Sequence, residues 1–108
     1  MLVLFDQGTP LPLRSFLTGH TVETAAQRGW DKLHNGALLE AAEQFGFAVL
    51  VTPDKNIRYQ QNLAVRKIAL VVLGNSKWPV LRRHAERVVA AVGAAEPGSY
   101  TEVEIPAD

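Results

Sequence analysis

The sequence predicts an α/β fold, a three-layer sandwich with a mainly parallel central sheet. Three short apolar runs, at residues 2–5, 47–52 and 68–73, show no polar alternation, which is typical of parallel strands buried on both faces. Segments with apolar residues at helical spacing lie between these runs. Because crossovers between parallel strands are right-handed, this alternation is accommodated most simply by one sheet with helices on both faces.

Residues typical of helix starts and helix ends indicate where the individual elements begin and end. Thr9, Asn35 and Asp54 are good helix caps, and Gly46 and Gly93 are suited to helix ends. The two runs that alternate apolar with polar residues predict strands at or near the sheet edges. The predicted elements are strand 2–5, helix 10–17, near-edge strand 20–25, helix 35–45 after the loop 26–34, strand 47–52, a short helix through Leu63, strand 68–73, helix 79–93 and edge strand 100–105.

Length and composition limit the class of protein. The chain has 108 residues, of which 47% are hydrophobic and 20% are charged, so we expect one globular domain over residues 1–108. No apolar run approaches the ~20 residues of a membrane span, and Met1 leads directly into a strand without a targeting pattern. We therefore expect a cytoplasmic protein with no membrane partner. There is no cysteine, so any metal must be bound by oxygen or imidazole, and the three histidines do not have the spacing of a metal site.

Two strands end in an aspartate. Asp6 follows the first strand and Asp54 follows the third, and the carboxyl ends of parallel strands are where ligands gather in such sheets. Two neighbouring carboxylates repel each other unless a proton or a cation neutralises them, so Asp6 and Asp54 are candidate catalytic residues and ligands of Mg²⁺. Asn35 and Asn56 offer amide oxygens as further ligands, although a helix cap and a turn residue are their ordinary roles.

Basic residues are concentrated in one part of the chain. Between Lys55 and Arg87 there are eight lysines and arginines and one acid, Glu86. A basic segment that begins next to Asp54 is suited to hold a polyanion, but solvated helix faces explain the same pattern. We take Thr52, Lys55 and Arg58 as candidate substrate-binding residues.

Three stretches resemble the small PIN-like proteins of the VapC toxin superfamily: residues 2–7, 35–43 and 49–56. The order of elements matches over nearly the whole length, and residues 52–56 are the most specific part. In that family an acid after strand one, an acid at the start of the mid-chain helix and a Thr-x-Asp-x-Asp phrase bind Mg²⁺ or Mn²⁺ for RNA cleavage. The resemblance implies a metal-dependent ribonuclease, the toxin of a toxin–antitoxin pair, with Asp6 and Asp54 at two of the acidic positions.

The chain departs from the family pattern at two positions. Asn35 stands at the helix-start acid and Asn56 at the second aspartate of the phrase, so half of the expected carboxylates are amides. Asp31, Glu40 and Glu43 lie near enough in sequence to be considered as substitutes.

Three functions follow as hypotheses. The first is the metal-dependent ribonuclease, whose partners would be RNA and an antitoxin protein. The second is a PIN-like module with weakened catalysis that binds RNA or a protein. The third is a receiver-type signalling domain, because Asp54 follows strand three as a phosphoacceptor would. The edge strand 100–105 suggests a homodimer.

Overall fold

Five parallel strands form the central sheet in the computed structural model, which describes residues 1–57 and 65–107. The strands occur in the order β2-β1-β3-β4-β5, and every neighbouring pair is parallel. This architecture confirms the predicted α/β class and the predicted strand order along the chain. The strands are β1 (Leu2–Phe5), β2 (Thr21–Thr24), β3 (Val49–Thr52), β4 (Ala69–Leu73) and β5 (Tyr100–Val103).

Helices cover both faces of this sheet. The α-helices whose bounds lie within the described residues are α1 (Asn35–Phe45), α2 (Trp78–Leu81) and α3 (Ala85–Gly93), and 3₁₀ helices occupy Leu11–Phe16 and Arg82–His84. The 3₁₀ helix after β1 packs with α3 on one face, whereas α1 packs on the other. Successive strand residues point to opposite faces, so the central strands contribute to both hydrophobic cores. All residues of β3 and β4 are buried.

The strand order places a topological switch point between β1 and β3. From β1 the chain crosses one face to reach β2, and from β2 it crosses the other face to reach β3. The two connections diverge at the carboxyl ends of β1 and β3, and such a divergence opens the crevice in which α/β sheets bind ligands. Asp6 and Asp54 follow these two strands.

Two of the predicted helix caps are wrong. Helix α1 begins at Asn35 with His34 as its N-cap, and no side chain caps it. Thr9 donates its hydroxyl to the carbonyl of Val51 at 3.0 Å instead of capping a helix, and the predicted helix after it is a 3₁₀ helix. Both polar side chains form hydrogen bonds with residues of other elements. A capping rule that uses only the neighbouring residues does not consider such contacts.

The predicted long helix over 79–93 is interrupted. A 3₁₀ turn, Arg82–His84, separates α2 from α3, and the backbone of His84 leaves the helical region at φ −123° and ψ 20°. The predicted helix after Asp54 falls largely on residues 58–64, which lie outside the described residues.

Candidate functional site

Asp6 extends the end of β1 toward β3. Its backbone N–H donates to the carbonyl of Val51 at 2.9 Å, so the strand pairing continues up to the aspartate. The half-buried carboxylate accepts two hydrogen bonds, one at Oδ1 from the backbone N–H of Gln7 and one at Oδ2 from the hydroxyl of Thr52, both at 2.8 Å. These two donors fix the direction in which the carboxylate points.

Thr52 links the two aspartates. Its side chain is fully buried, at 0% exposure, and among the described residues it is the only buried polar side chain. Its Oγ1 donates to Asp6 Oδ2 and accepts the backbone N–H of Asp54 at 3.1 Å. We predicted that Thr52 contacts substrate; because its hydroxyl is enclosed between the two acids, its role in this geometry is to position them.

Asp54 is held by two neutral donors. Oδ1 accepts the backbone N–H of Asn56 at 2.9 Å, and Oδ2 accepts the side-chain Nδ2 of Asn35 at 3.1 Å. Asn35 is the first residue of α1, so the start of this helix is tied to the loop after β3. Asn56 takes part through its backbone, and its side chain is exposed.

The loops after β1 and β3 pack closely against each other. Gly8 adopts φ +87°, and a Cβ at this position would lie 3.0 Å from the Cγ of Pro53. A side chain at residue 8 would therefore be strained in conformation and crowded by the proline. Thr9 adds a second tie between the loops, because its hydroxyl bonds to Val51.

The charge balance at the two aspartates depends on their hydrogen-bond donors. Within residues 1–57 and 65–107, the donors to the two carboxylates are backbone amides, a hydroxyl and a side-chain amide, all of them neutral. Two negative charges at one sheet edge thus face no cationic hydrogen-bond donor in this part of the chain. Each carboxylate oxygen has about two acceptor directions, and each oxygen accepts one of the hydrogen bonds named above.

The donor set fits a hard divalent cation. Mg²⁺ is often bound through only one or two carboxylates and keeps several water ligands, and Asp6 and Asp54 meet this requirement. In the described part of the chain no three His, Asp or Glu side chains group together as metal ligands. Asp6 and Asp54 are the two carboxylates that would hold such an ion at this edge.

Two of the three predicted substrate-binding residues lie in the part of the chain that the structure describes. Lys55 is exposed directly after Asp54, and Thr52 is buried as described above. Arg58 lies outside the described residues. Of the more distant basic residues, Arg82, Arg83 and Arg87 are exposed, and Arg87 donates to the carbonyl of Glu104 at 3.2 Å.

Glu43 belongs to the opposite end of the sheet. Its carboxylate pairs with Arg66 at 2.7 Å and accepts the backbone N–H groups of Lys67 and Ile68, directly before β4. Partial burial raises the pKa of Glu43, but the hydrogen bonds from Arg66 and the two amides, together with the arginine charge, outweigh burial and hold this pKa below its ordinary value of 4.5. Glu43 is therefore a structural acid and does not replace the carboxylate absent at Asn35.

Sequence reasoning missed the loop residues that hold the site together. The structure brings together Asp6, Asn35, Thr52, Asp54 and the backbone of Asn56, all of which were candidates. It adds Gly8, and it adds Thr9, which we had interpreted as a helix cap. A glycine two residues after a strand-end acid was the available signal, but its contact with Pro53 depends on the pairing of β1 with β3.

No protein-family model matches the chain, and no curated protein or solved structure matches it either. The relation to PIN-like proteins therefore depends on the residues quoted above and stays a prediction. Within residues 1–57 and 65–107, no helix combines the length and the apolar character that crossing a membrane requires.

Proposed function

We propose that this protein is a Mg²⁺- or Mn²⁺-dependent ribonuclease whose site consists of Asp6 and Asp54. The observation that carries the proposal is the convergence of both acids on the switch point between β1 and β3, where the Thr52 hydroxyl links them. The cation expected there is favoured because the carboxylates have only neutral donors in the described part of the chain. The resemblance to PIN-like nucleases, which includes both acids, supports the same reaction.

In the proposed reaction each residue of the site has its own role. Asp6 and Asp54 would hold the cation, while Thr52 and Asn35 keep one oxygen of each acid oriented. A divalent cation held there would supply Lewis-acid chemistry for hydrolysis of a phosphodiester. Lys55, exposed beside Asp54, binds the phosphate of the RNA and offsets its charge.

RNA cleavage with defined metals tests the proposal. Labelled RNA oligonucleotides of mixed sequence are incubated with the protein in Mg²⁺, in Mn²⁺ and in EDTA. We expect cleavage only with metal, and a loss of about a hundredfold or more in the rate for Asp6→Asn and for Asp54→Asn. Glu86→Gln is the control, because Glu86 is an exposed acid in the first turn of α3 and was not a candidate for the site, and its rate should equal that of the wild type.

Three results would reject the ribonuclease. The first is cleavage that persists in EDTA, and the second is cleavage retained in Asp54→Asn. The third is the absence of cleavage of every RNA in both metals.

The biological setting belongs to the same proposal. A ribonuclease of this kind acts in the cytoplasm, and as a toxin it has an antitoxin protein that covers the crevice between β1 and β3. Co-expression with the neighbouring gene product, followed by copurification and the RNA cleavage assay, tests this setting. Inhibition of cleavage by the copurified protein is the expected result.

A binding module with weakened catalysis is the second candidate. The amide of Asn35 satisfies an oxygen of Asp54 without a metal, which favours a site that persists as a polar network alone. RNA binding measured by fluorescence anisotropy in EDTA distinguishes this candidate. Binding that weakens steeply with salt, together with no cleavage in Mn²⁺, would support it over the nuclease.

A receiver-type domain is the third candidate. The strand order β2-β1-β3-β4-β5 is the order found in receiver domains and flavodoxins, and Asp54 follows the third strand. Incubation with acetyl phosphate and Mg²⁺ should then add one phosphoryl group to Asp54, as detected by mass spectrometry, and Asp54→Asn should abolish the addition. An unmodified wild-type protein would exclude this candidate.

A further inference from the structure

Asn35 and Asp54 form a direct side-chain contact between two elements of the site. The amide Nδ2 of Asn35 donates to Asp54 Oδ2 at 3.1 Å. Since an ionised carboxylate can only accept hydrogen bonds, the nitrogen of the amide must be the atom that faces it. The donor carries no net charge, so it stabilises Asp54 without neutralising it.

The position of Asn35 is fixed by the packing of α1. Leu38, Leu39 and Ala42 of this helix are buried in the core under the sheet, and Gly46 ends the helix at φ +109°. The first turn of α1 therefore cannot move away from the loop after β3 without disturbing the core. A side chain of the same size at residue 35 would therefore lie within reach of Asp54.

We infer that Asn35 determines whether the site needs a metal ion in order to fold. Its amide holds Asp54 without a cation, whereas a carboxylate at this one position would make the folded site depend on a divalent ion. An acid at residue 35 would bring two carboxylates to hydrogen-bond distance, where like charges repel unless a proton or a cation lies between them. The amide thus occupies the place of a bridging cation at Asp54. Asn35 is a positioning residue in this role, and any ion that the wild type binds through Asp6 and Asp54 is the subject of the proposed function.

Isosteric substitution and a charge swap test this inference. Melting temperatures are measured for the wild type, Asn35→Asp and the double variant Asn35→Asp/Asp54→Asn. The pH is 8, so that few protons are available to neutralise the repelling carboxylates. In EDTA, Asn35→Asp should melt about 4 °C or more below the wild type. The double variant again pairs one amide with one carboxylate, so it should recover most of this loss.

The response to Mn²⁺ supplies the second readout. Mn²⁺ should raise the melting temperature of Asn35→Asp more than that of the wild type or of the double variant, because only Asn35→Asp contains the unrelieved pair. Direct titration by calorimetry should show at least about tenfold tighter Mn²⁺ binding by Asn35→Asp, since affinity rises with the number of charged ligands. If Asn35→Asp is unfolded in EDTA, its folding on addition of Mn²⁺ is the expected result.

The outcomes separate this inference from the proposed ribonuclease. Equal melting temperatures of Asn35→Asp and wild type in EDTA, an equal response to Mn²⁺, or a double variant less stable than Asn35→Asp would overturn the inference. A metal-dependent Asn35→Asp beside a wild type that neither binds Mn²⁺ nor cleaves RNA would uphold the inference and reject the ribonuclease. The start of an α-helix favours a negative charge, so a stability loss in Asn35→Asp would report the pair with Asp54 rather than a poor helix.

Discussion

Thr52 places a hydroxyl at the end of a strand whose other residues are all apolar. Burial of a hydroxyl without partners is unfavourable, and this one is both a donor, to Asp6, and an acceptor, from the amide of Asp54. The side chain is therefore satisfied inside the protein and unavailable to solvent. At the scale of single residues, the candidate site is a chain of hydrogen bonds that runs from Asp6 through Thr52 to Asp54 and Asn35.

Removal of this hydroxyl should destabilise the protein. Thr52→Val keeps the shape of the side chain but leaves the N–H of Asp54 without its acceptor, so we expect a loss of about 1–3 kcal/mol in the free energy of unfolding. Thr52→Ser keeps the hydroxyl and loses one methyl group, which should cost about 1 kcal/mol. Urea denaturation of both variants measures the difference, and a valine variant as stable as the serine variant would contradict the role assigned to Thr52.

Residue identity predicted the members of the site better than it predicted their contacts. Asp6 and Asp54 were recognisable because each ends an apolar run. The contacts of Asn35 and Thr9 were not, because the same side chains are suited to capping a helix. Which partner such a side chain takes depends on what the fold brings within reach, and here another loop or strand lies closer than the helix end.

Helix α1 is anchored at both ends, and the two anchors differ in chemistry. Its first residue bonds to the loop after β3 through a neutral amide, and near its last turn Glu43 pairs with Arg66 and with the backbone before β4. The second anchor is ionic and involves a carboxylate whose pKa is lowered in the folded protein. This element should therefore respond to pH at its carboxyl end.

Acid should remove the contribution of Glu43 to stability. Because the folded pKa lies below the ordinary value of 4.5, the stabilisation is fully present above that value and is lost as the pH falls through the folded pKa. Glu43→Gln keeps the size of the side chain and removes its charge. We expect the variant to be less stable than the wild type at pH 7, with the difference shrinking below about pH 4.5. Urea midpoints measured from pH 7 to pH 3 test this, and a difference that does not change with pH would contradict it.

Helices and strands could be told apart in the sequence because the spacing of apolar residues along a segment depends only on that segment. The strands at 2–5 and 68–73, and the polar alternation of the edge strands, were visible in the sequence and are confirmed within a residue or two. The interruption between α2 and α3 was not visible, since the apolar spacing continues through it. Leu81 and Ala85, on either side of the interruption, are both buried in the core against the sheet.

At the scale of the whole molecule, one sheet separates two hydrophobic cores. One core contains Val3, Val51 and Val71 with α3, and the other contains Leu4, Leu50 and Leu70 with α1. Because the central strands contribute to both, loss of packing on either face weakens the sheet that positions the site. The switch point between β1 and β3 exists only when both faces are covered.

Truncation of a leucine in this sheet should cost far more than truncation at the surface. Leu50 is fully buried and Leu11 is 47% exposed. We expect Leu50→Ala to reduce the free energy of unfolding by about 2–5 kcal/mol, and Leu11→Ala to change it by about 0.5 kcal/mol or less. Chemical denaturation of the two variants compares the same substitution at a buried and an exposed position. Similar losses in the free energy of unfolding would show that the hydrophobic core does not lie against this sheet.

The sequence by itself determined the fold class, the order of the elements and the two acids that end β1 and β3, because hydrophobic period, strand burial and strand ends are encoded by neighbouring residues. Only the tertiary structure decided that β1 and β3 pair, that Thr52 lies between their aspartates and that the amide of Asn35 faces Asp54. These contacts join residues that are 19 and 46 positions apart, and a hydrogen bond between distant residues exists only after the sheet and helix that carry them have packed. The chemistry of the site is thus carried by local sequence, and its geometry by the pairing of two strands.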